Sequence, residues 1–212
     1  MTLEDFAYIR RCVADGLVGS PCLELGVGNG EWTCKDVIRS AGIEYVGTDT
    51  FESPETDIVI DFQGPPETVR AAAKRTFRTV ICFNVLEHCF EPIRVLDNIL
   101  GLLEPHGTCI IVAPTIWPLH DFPRDCYRMN PNFYEEYAAR RQVRLLQKMF
   151  DYLNVGPVSQ FCEKGQYAYP PATSSQWKGL WSRCVHRVLN TTGRGHVTPN
   201  YLAIGCVIEK SP

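Results

Sequence analysis

Six short apolar runs punctuate this chain, at residues 22–25, 45–47, 57–61, 79–83, 108–113 and 201–209. Stretches long enough for helices separate most of them. Strands that alternate with helices cannot pair by hairpins; they pair in parallel and bury both faces of the sheet under the intervening helices. The expected helices cover 3–17, 31–41, 66–77, 91–103 and 131–141, and a further amphipathic one spans 174–189. In the first, Phe6, Ile9, Val13 and Leu17 recur at helical spacing, and Thr2 with Asp5 approximates a capping start. Pro92 suits a first helical turn, whereas residues 143–153 fit either helix or strand. The fold class expected is α/β with a mostly parallel sheet.

Size and composition agree with one domain. The 212 residues are 45% hydrophobic and 21% charged, which excludes a disordered chain. No run of about 18 apolar residues exists to span a membrane, and the acidic start Met1-Thr-Leu-Glu-Asp lacks a signal-peptide plan. A cytoplasmic location is expected. Ten cysteines occur without a Cys-x-x-Cys pair. Close ligand pairs mark zinc sites and short secreted chains carry disulfide frameworks, so reduced core thiols are expected and no metal. The net charge of −3 divides unevenly. Residues 1–118 carry 17 acidic and 9 basic side chains, and residues 119–212 carry 7 and 12. Local positive potential in the C-terminal part would attract an anionic substrate, although a duplex of nucleic acid calls for a more basic domain.

The sharpest local signal is Glu24-Leu-Gly26-Val-Gly28-Asn-Gly30, set between a strand and a helix. Such glycines permit a tight turn and close approach of a ligand to the backbone, next to the oriented N–H groups of a helix start. The spacing is one residue short of the dinucleotide pattern Gly-x-Gly-x-x-Gly, which disfavours a nicotinamide oxidoreductase. Asp49 ends the second strand, where a carboxylate can accept both ribose hydroxyls, and Asp61 ends the third.

Together with Phe83-Asn84-Val85-Leu86-Glu87-His88 and Leu103-Glu-Pro-His-Gly107, these motifs resemble the class I S-adenosylmethionine-dependent methyltransferases, in order over residues 20–128. The resemblance implies a Rossmann-like, seven-stranded sheet with an antiparallel final strand. It divides the chain at about residue 114 into a cofactor half and a substrate half. It places Gly26, Gly28 and Gly30 around S-adenosylmethionine, Glu24 near its ammonium group, Asp49 at the ribose, Asp61 at the adenine and Asn84 beside the cofactor. His106 stands where the family usually has glycine.

The loop from Trp117 to Arg128 resembles a His-x-x-Pro-x-Asp-Tyr-Trp-Arg loop of methyltransferases associated with glycan biosynthesis. On that likeness His120 is the candidate general base and Asp125 its orienter or a second base. Arg124 and Arg128 are anion contacts, with Tyr127 and His88 also on the substrate side. Cys126 and Met129 depart from the aromatic residues common there. Glu87-His88 is similar to a metal-binding segment of ubiquinone-type O-methyltransferases, but Asn84 replaces the upstream glutamate, so no metal is expected. The helix at 174–189 carries a Trp-rich stripe that reads as core, with a lid, a homodimer surface or docking at a membrane edge as other uses. The function expected is O-methylation of a sugar or glycan precursor. A methyltransferase for a small aromatic, lipid-like or natural-product hydroxyl or amine is the alternative, as is a non-catalytic binding protein that retains the fold.

Overall fold

The computed structural model describes residues 2–30, 32–117, 124–153 and 203–212, and the backbone of 162–163 and 166–167. The expected helix at 174–189 and His120 lie outside the described residues. Among the described residues, ten strands and five α-helices follow in the order α1 (Leu3–Ala14), β1 (Cys22–Leu25), α2 (Lys35–Ser40), β2 (Tyr45–Asp49), β3 (Ile58–Val59), α3 (Pro66–Ala73), β4 (Phe77–Phe83), α4 (Pro92–Leu102), β5 (Leu103–Pro114), α5 (Pro131–Arg141), β6 (Arg144–Leu145), β7 (Asp151–Leu153), β8 (Cys162–Glu163), β9 (Gln166–Tyr167) and β10 (Ala203–Glu209). Two 3-10 turns, Leu86–His88 and Gln147–Met149, complete the path.

The main sheet has the order β3-β2-β1-β4-β5-β10-β6, and β7 also pairs with β10; β8 and β9 form a separate hairpin. Strands β3 through β5 are parallel, and β10 runs antiparallel to β5. The Rossmann-like α/β class is as expected, but the sheet has eight strands rather than seven. Its β10 edge explains the extra one. Arg144–Leu145 pairs opposite Ile208 and Glu209, and Asp151–Leu153 opposite residues 203–205. The 3-10 turn between them interrupts what would have been one strand, so residues 143–153 are neither a helix nor a continuous strand.

Side chains alternate across the pleat and feed two cores. Val80, Cys82, Cys109, Ile111, Cys206 and Ile208 face α3, α4 and α5, packing on Val69, Leu96, Ile99 and Tyr134. Ile81, Phe83, Ile110, Val112 and Val207 face α1 and α2, packing on Tyr8, Ile9, Cys12 and Ile38. Among the described residues eight cysteines are free; seven are buried and Cys126 is exposed, in line with core thiols.

Several boundaries moved for local reasons. The first helix stops at Ala14 because Gly16 turns left-handed (φ 70°). The third ends at Ala73, where Lys74 adopts φ 58°, and Phe77 opens β4 instead. The helix expected from residue 31 begins at Lys35. His106 adopts φ 59°, the conformation that the family's glycine takes without strain, and donates its N–H to Lys210. Among the described residues no helix is long and apolar enough to cross a membrane.

Candidate functional site

In an open parallel sheet, ligands bind beyond the C-terminal ends of the strands, where the strand order reverses. Here that edge lies beyond β1, β2 and β4, and the glycine turn, Asp49 and Asn84 all converge on it. The turn leaves β1 with Gly26 at φ 73° and Gly28 at φ 53°. A Cβ on Gly26 would come within 2.7 Å of Val85 Cγ2, so that glycine lets the turn after β1 pack on the turn after β4. A Cβ on Gly28 would meet nothing within 4 Å. Its backbone therefore borders open space, as a ligand-facing position requires. Gly30 packs against the Glu55 side chain instead, and Glu55 in turn pairs with Lys35 at the start of α2.

Asp49 ends β2 and reaches back to the turn. Its Oδ2 accepts the Gly28 N–H (2.8 Å), and its Oδ1 accepts the Thr50 N–H (2.7 Å). Asp61, two residues beyond β3, is exposed and accepts the Gln63 N–H at 2.9 Å. Asn84 leaves β4 at φ 53°; its N–H donates to Val112 O (2.8 Å) and its Nδ2 to Asp5 Oδ2 (3.3 Å).

Glu24 sits beneath the turn, 2% exposed. The Cys34 N–H donates to both of its oxygens (3.0 and 2.9 Å), and the Tyr45 hydroxyl donates to Oε2 (2.6 Å). Burial raises its pKa, and these donors oppose that shift by favouring the carboxylate. The carboxylate thereby ties β1 to β2 and to the start of α2. Neither Tyr45 nor Cys34 is marked by any motif, and their part in the site was not readable from local sequence. Asp5 was read only as a helix cap, yet it is 1% exposed beside Asn84.

The acceptor side is built around the 3-10 turn after β4. Glu87 O accepts the N–H groups of Cys126 (2.7 Å) and Tyr127 (3.2 Å), and His88 Nδ1 lies 2.9 Å from Arg124 O. The Tyr127 hydroxyl donates to Phe90 O at 3.1 Å. Arg128 is bidentate on Asp125, at 2.6 Å for the Nη2–Oδ2 bond, and also donates to Trp117 O. Arg124 and Tyr127 are exposed, and the Asp125 side chain is fully buried. The structure thus brings His88, Arg124, Asp125, Tyr127 and Arg128 together. Glu87 is 1% exposed, neither carboxylate oxygen has a hydrogen-bond partner among the described residues although His88 Nε2 lies 3.8 Å from Oε1, and burial pushes its pKa up to about 8.

A cavity of about 1470 Å³ opens between α4 and α5, lined by Ile93, Arg94, Tyr127, Arg128, Phe133 and Arg140 among others. It carries two residues expected to meet substrate and none of the seven expected to meet cofactor. Several basic side chains of the C-terminal part are paired among the described residues. Arg140 pairs with Glu136, Arg141 with Asp97 and Arg144 with Glu209. Among the described residues no cluster of three or more His, Cys, Asp or Glu side chains could hold a metal ion.

Comparison with known proteins agrees with the fold. A family model described as a methyltransferase domain matches residues 6–156. The chain is 25% identical over 114 residues to a ubiquinone biosynthesis O-methyltransferase of Actinobacillus pleuropneumoniae; the match spans 47% of this chain and about half, 47%, of that protein. Among solved structures, it is similar to an S-adenosylmethionine-dependent methyltransferase from Archaeoglobus fulgidus, at 14% identity and TM-score 0.56, covering 97% of this chain and 93% of the other. It is also similar to magnesium protoporphyrin IX methyltransferase from Synechocystis, at 14% identity and TM-score 0.54, covering 98% and 82%. With the family matched over most of its length on a 3-2-1-4-5 parallel sheet, the chain belongs to the class I S-adenosylmethionine-dependent methyltransferases.

Proposed function

We propose that the protein transfers a methyl group from S-adenosylmethionine to a hydroxyl of a sugar or glycan precursor. The observation that carries the reading is the loop 124–128, pinned on the turn after β4 by the Glu87 carbonyl and by His88. The turn it is pinned to also packs, through Val85, on Gly26, and the loop leaves Arg124 and Tyr127 exposed. The residues fit this cofactor. Gly28 leaves its backbone uncovered, Asp49 offers a carboxylate at the ribose position, and Asp61 is exposed where an adenine amino group would approach.

When bound, the cofactor would supply an electrophilic methyl group, to be taken in line by an acceptor oxygen as the S–CH3 bond breaks and S-adenosylhomocysteine leaves. The protein's share is largely positioning. Asp49 and the turn hold the nucleoside, while the pinned loop holds the acceptor at the open end. A sugar hydroxyl needs its proton removed as the new bond forms. The His120 imidazole is assigned that proton. Asp125 has both oxygens on Arg128 and fits a positioning role better than that of a second base.

A second reading, methylation of a small aromatic hydroxyl, is favoured by the likeness to a ubiquinone O-methyltransferase. Transfer of labelled methyl from S-adenosylmethionine to a panel of nucleotide sugars, oligosaccharides and catechols separates the two. Label in the sugars supports the first reading. Label confined to catechols selects the second, and no label in any acceptor counts against both.

A further inference from the structure

Resting on the methyltransferase reading, we infer that Asp5, on the N-terminal helix, receives the α-ammonium group of the cofactor's methionyl moiety. Glu24 was the expected partner of that group, but both its oxygens already accept bonds from Cys34 and Tyr45, and only 2% of the residue is exposed. Its carboxylate is committed to the turn.

Asp5 is as deeply buried, at 1% exposed, but differs in that one of its two oxygens is uncommitted among the described residues. Helix α1 runs antiparallel to the parallel strands. Leu17, just after it, meets Thr108 at the N-terminal part of β5, and Tyr8 lies against Phe83 at the end of β4. The first turn of α1 is therefore carried to the C-terminal edge of the sheet, where the glycine turn and Asn84 lie. Asp5 extends the buried stripe of Tyr8, Ile9 and Cys12 to that edge. Its Oδ2 accepts the Thr2 N–H (2.7 Å) and the Asn84 Nδ2 (3.3 Å). Its Oδ1 is buried with no hydrogen-bond partner among the described residues.

The Asp5 carboxylate accepts a bond from Asn84 and lies near enough to Cys34 to act on its thiol. Burial chiefly, then Glu24 and to a lesser extent Asp5, push up the Cys34 thiol. Phe6, the next residue, places its ring 6.4 Å from that of Trp32, which follows the glycine turn. An anionic oxygen enclosed at this point and lacking a donor matches a compact cation with several N–H groups. The ammonium lies at the methionine end of the cofactor, the end that the family resemblance sets against Gly26 and Gly28. The first turn of α1 then closes over the cofactor's tail as part of the binding site.

Asp5→Asn tests the assignment without removing the cap, because the amide retains an oxygen for the Thr2 N–H. Calorimetric titration would compare S-adenosylhomocysteine, which carries the ammonium, with 5′-methylthioadenosine, which lacks the amino-acid tail. For Asp5→Asn the dissociation constant of S-adenosylhomocysteine should rise at least about tenfold, as for a lost charge-assisted bond. That of 5′-methylthioadenosine should stay within about twofold by the same reasoning. Thr2→Ala, which loosens the cap and spares the carboxylate, should leave the ratio of the two constants unchanged. The assignment is overturned if Asp5→Asn binds S-adenosylhomocysteine as tightly as wild type. It is equally overturned if both ligands weaken in proportion, which would make Asp5 only a seat for the helix. If the wild type binds neither ligand, the cofactor reading itself fails and this assignment fails with it.

Discussion

Glu24 and Glu87 are buried to the same degree, 2% and 1% exposed, beside the C-terminal ends of the adjacent strands β1 and β4. Around Glu24 the fold supplies a backbone N–H and a tyrosine hydroxyl, so the carboxylate organises the turn that borders the cofactor position. Around Glu87 the described residues supply no hydrogen bond; His88 Nε2 lies 3.8 Å from its Oε1, and Arg128, the nearby cation, is already bidentate on Asp125. Burial dominates there and raises the pKa to about 8, with its own backbone and the Arg128 charge pulling the other way. One glutamate is a structural tie. The other is a carboxyl that holds its proton near neutrality, on the side where the acceptor is expected.

If that contrast is sound, removing Glu24 has the largest effect. Glu24→Ala leaves the Cys34 N–H and the Tyr45 hydroxyl without an acceptor inside the protein and opens a space between β1 and α2. A loss of about 3–4 kcal/mol is expected, read as a lowered midpoint in urea unfolding. A loss below about 1 kcal/mol, the worth of a single ordinary hydrogen bond, would show that the turn does not depend on this tie.

Glu87 should reveal itself through pH. Its folded-state pKa lies above the unfolded value, so the native state binds the extra proton between about pH 4.5 and 8. Stability contributed by the neutral carboxyl is present in full below the unfolded pKa and is lost as pH rises towards 8. Glu87→Gln, neutral at every pH, should match wild type near pH 4.5. It should be the more stable protein at pH 8, by on the order of 3 kcal/mol. Parallel stability–pH curves for the two proteins would refute a buried carboxyl that holds its proton.

These two glutamates also mark what sequence could and could not convey. The β1 strand was readable to the residue because it is buried throughout and bounded by Pro21 and Gly26. The glycine turn and the Asp49 position were readable because their spacing is local. The role of Glu24 was not, since its partner Tyr45 lies 21 residues away on another strand. Asp5 satisfied a capping pattern, and that local explanation hid its burial against Asn84. The first helix was read with Phe6 and Val13 on the inner stripe, whereas Asp5, Tyr8, Ile9 and Cys12 are buried; a polar residue on the buried face shifts the apparent stripe. The broken strand at 144–153 escaped notice because a three-residue 3-10 turn carries no periodic signal.

Tyr45→Phe should have the smallest effect, and it tests the comparison most directly because it moves Glu24 towards the condition of Glu87. The substitution removes one donor (2.6 Å) and keeps the ring, which is 7% exposed, in place. Burial already raises the Glu24 pKa, and the Tyr45 bond is first among the influences that lower it. Without that bond the folded-state pKa must rise further, and the native state retains its proton over a wider range above the unfolded pKa. The variant should therefore equal wild type near pH 4.5 and fall behind as pH rises. The deficit should reach about 1–2 kcal/mol by pH 8, the usual worth of a hydrogen bond to a charged group. A deficit independent of pH would mean that the hydroxyl contributes only packing or a neutral hydrogen bond. The two glutamates would then differ for some reason other than the donors around them.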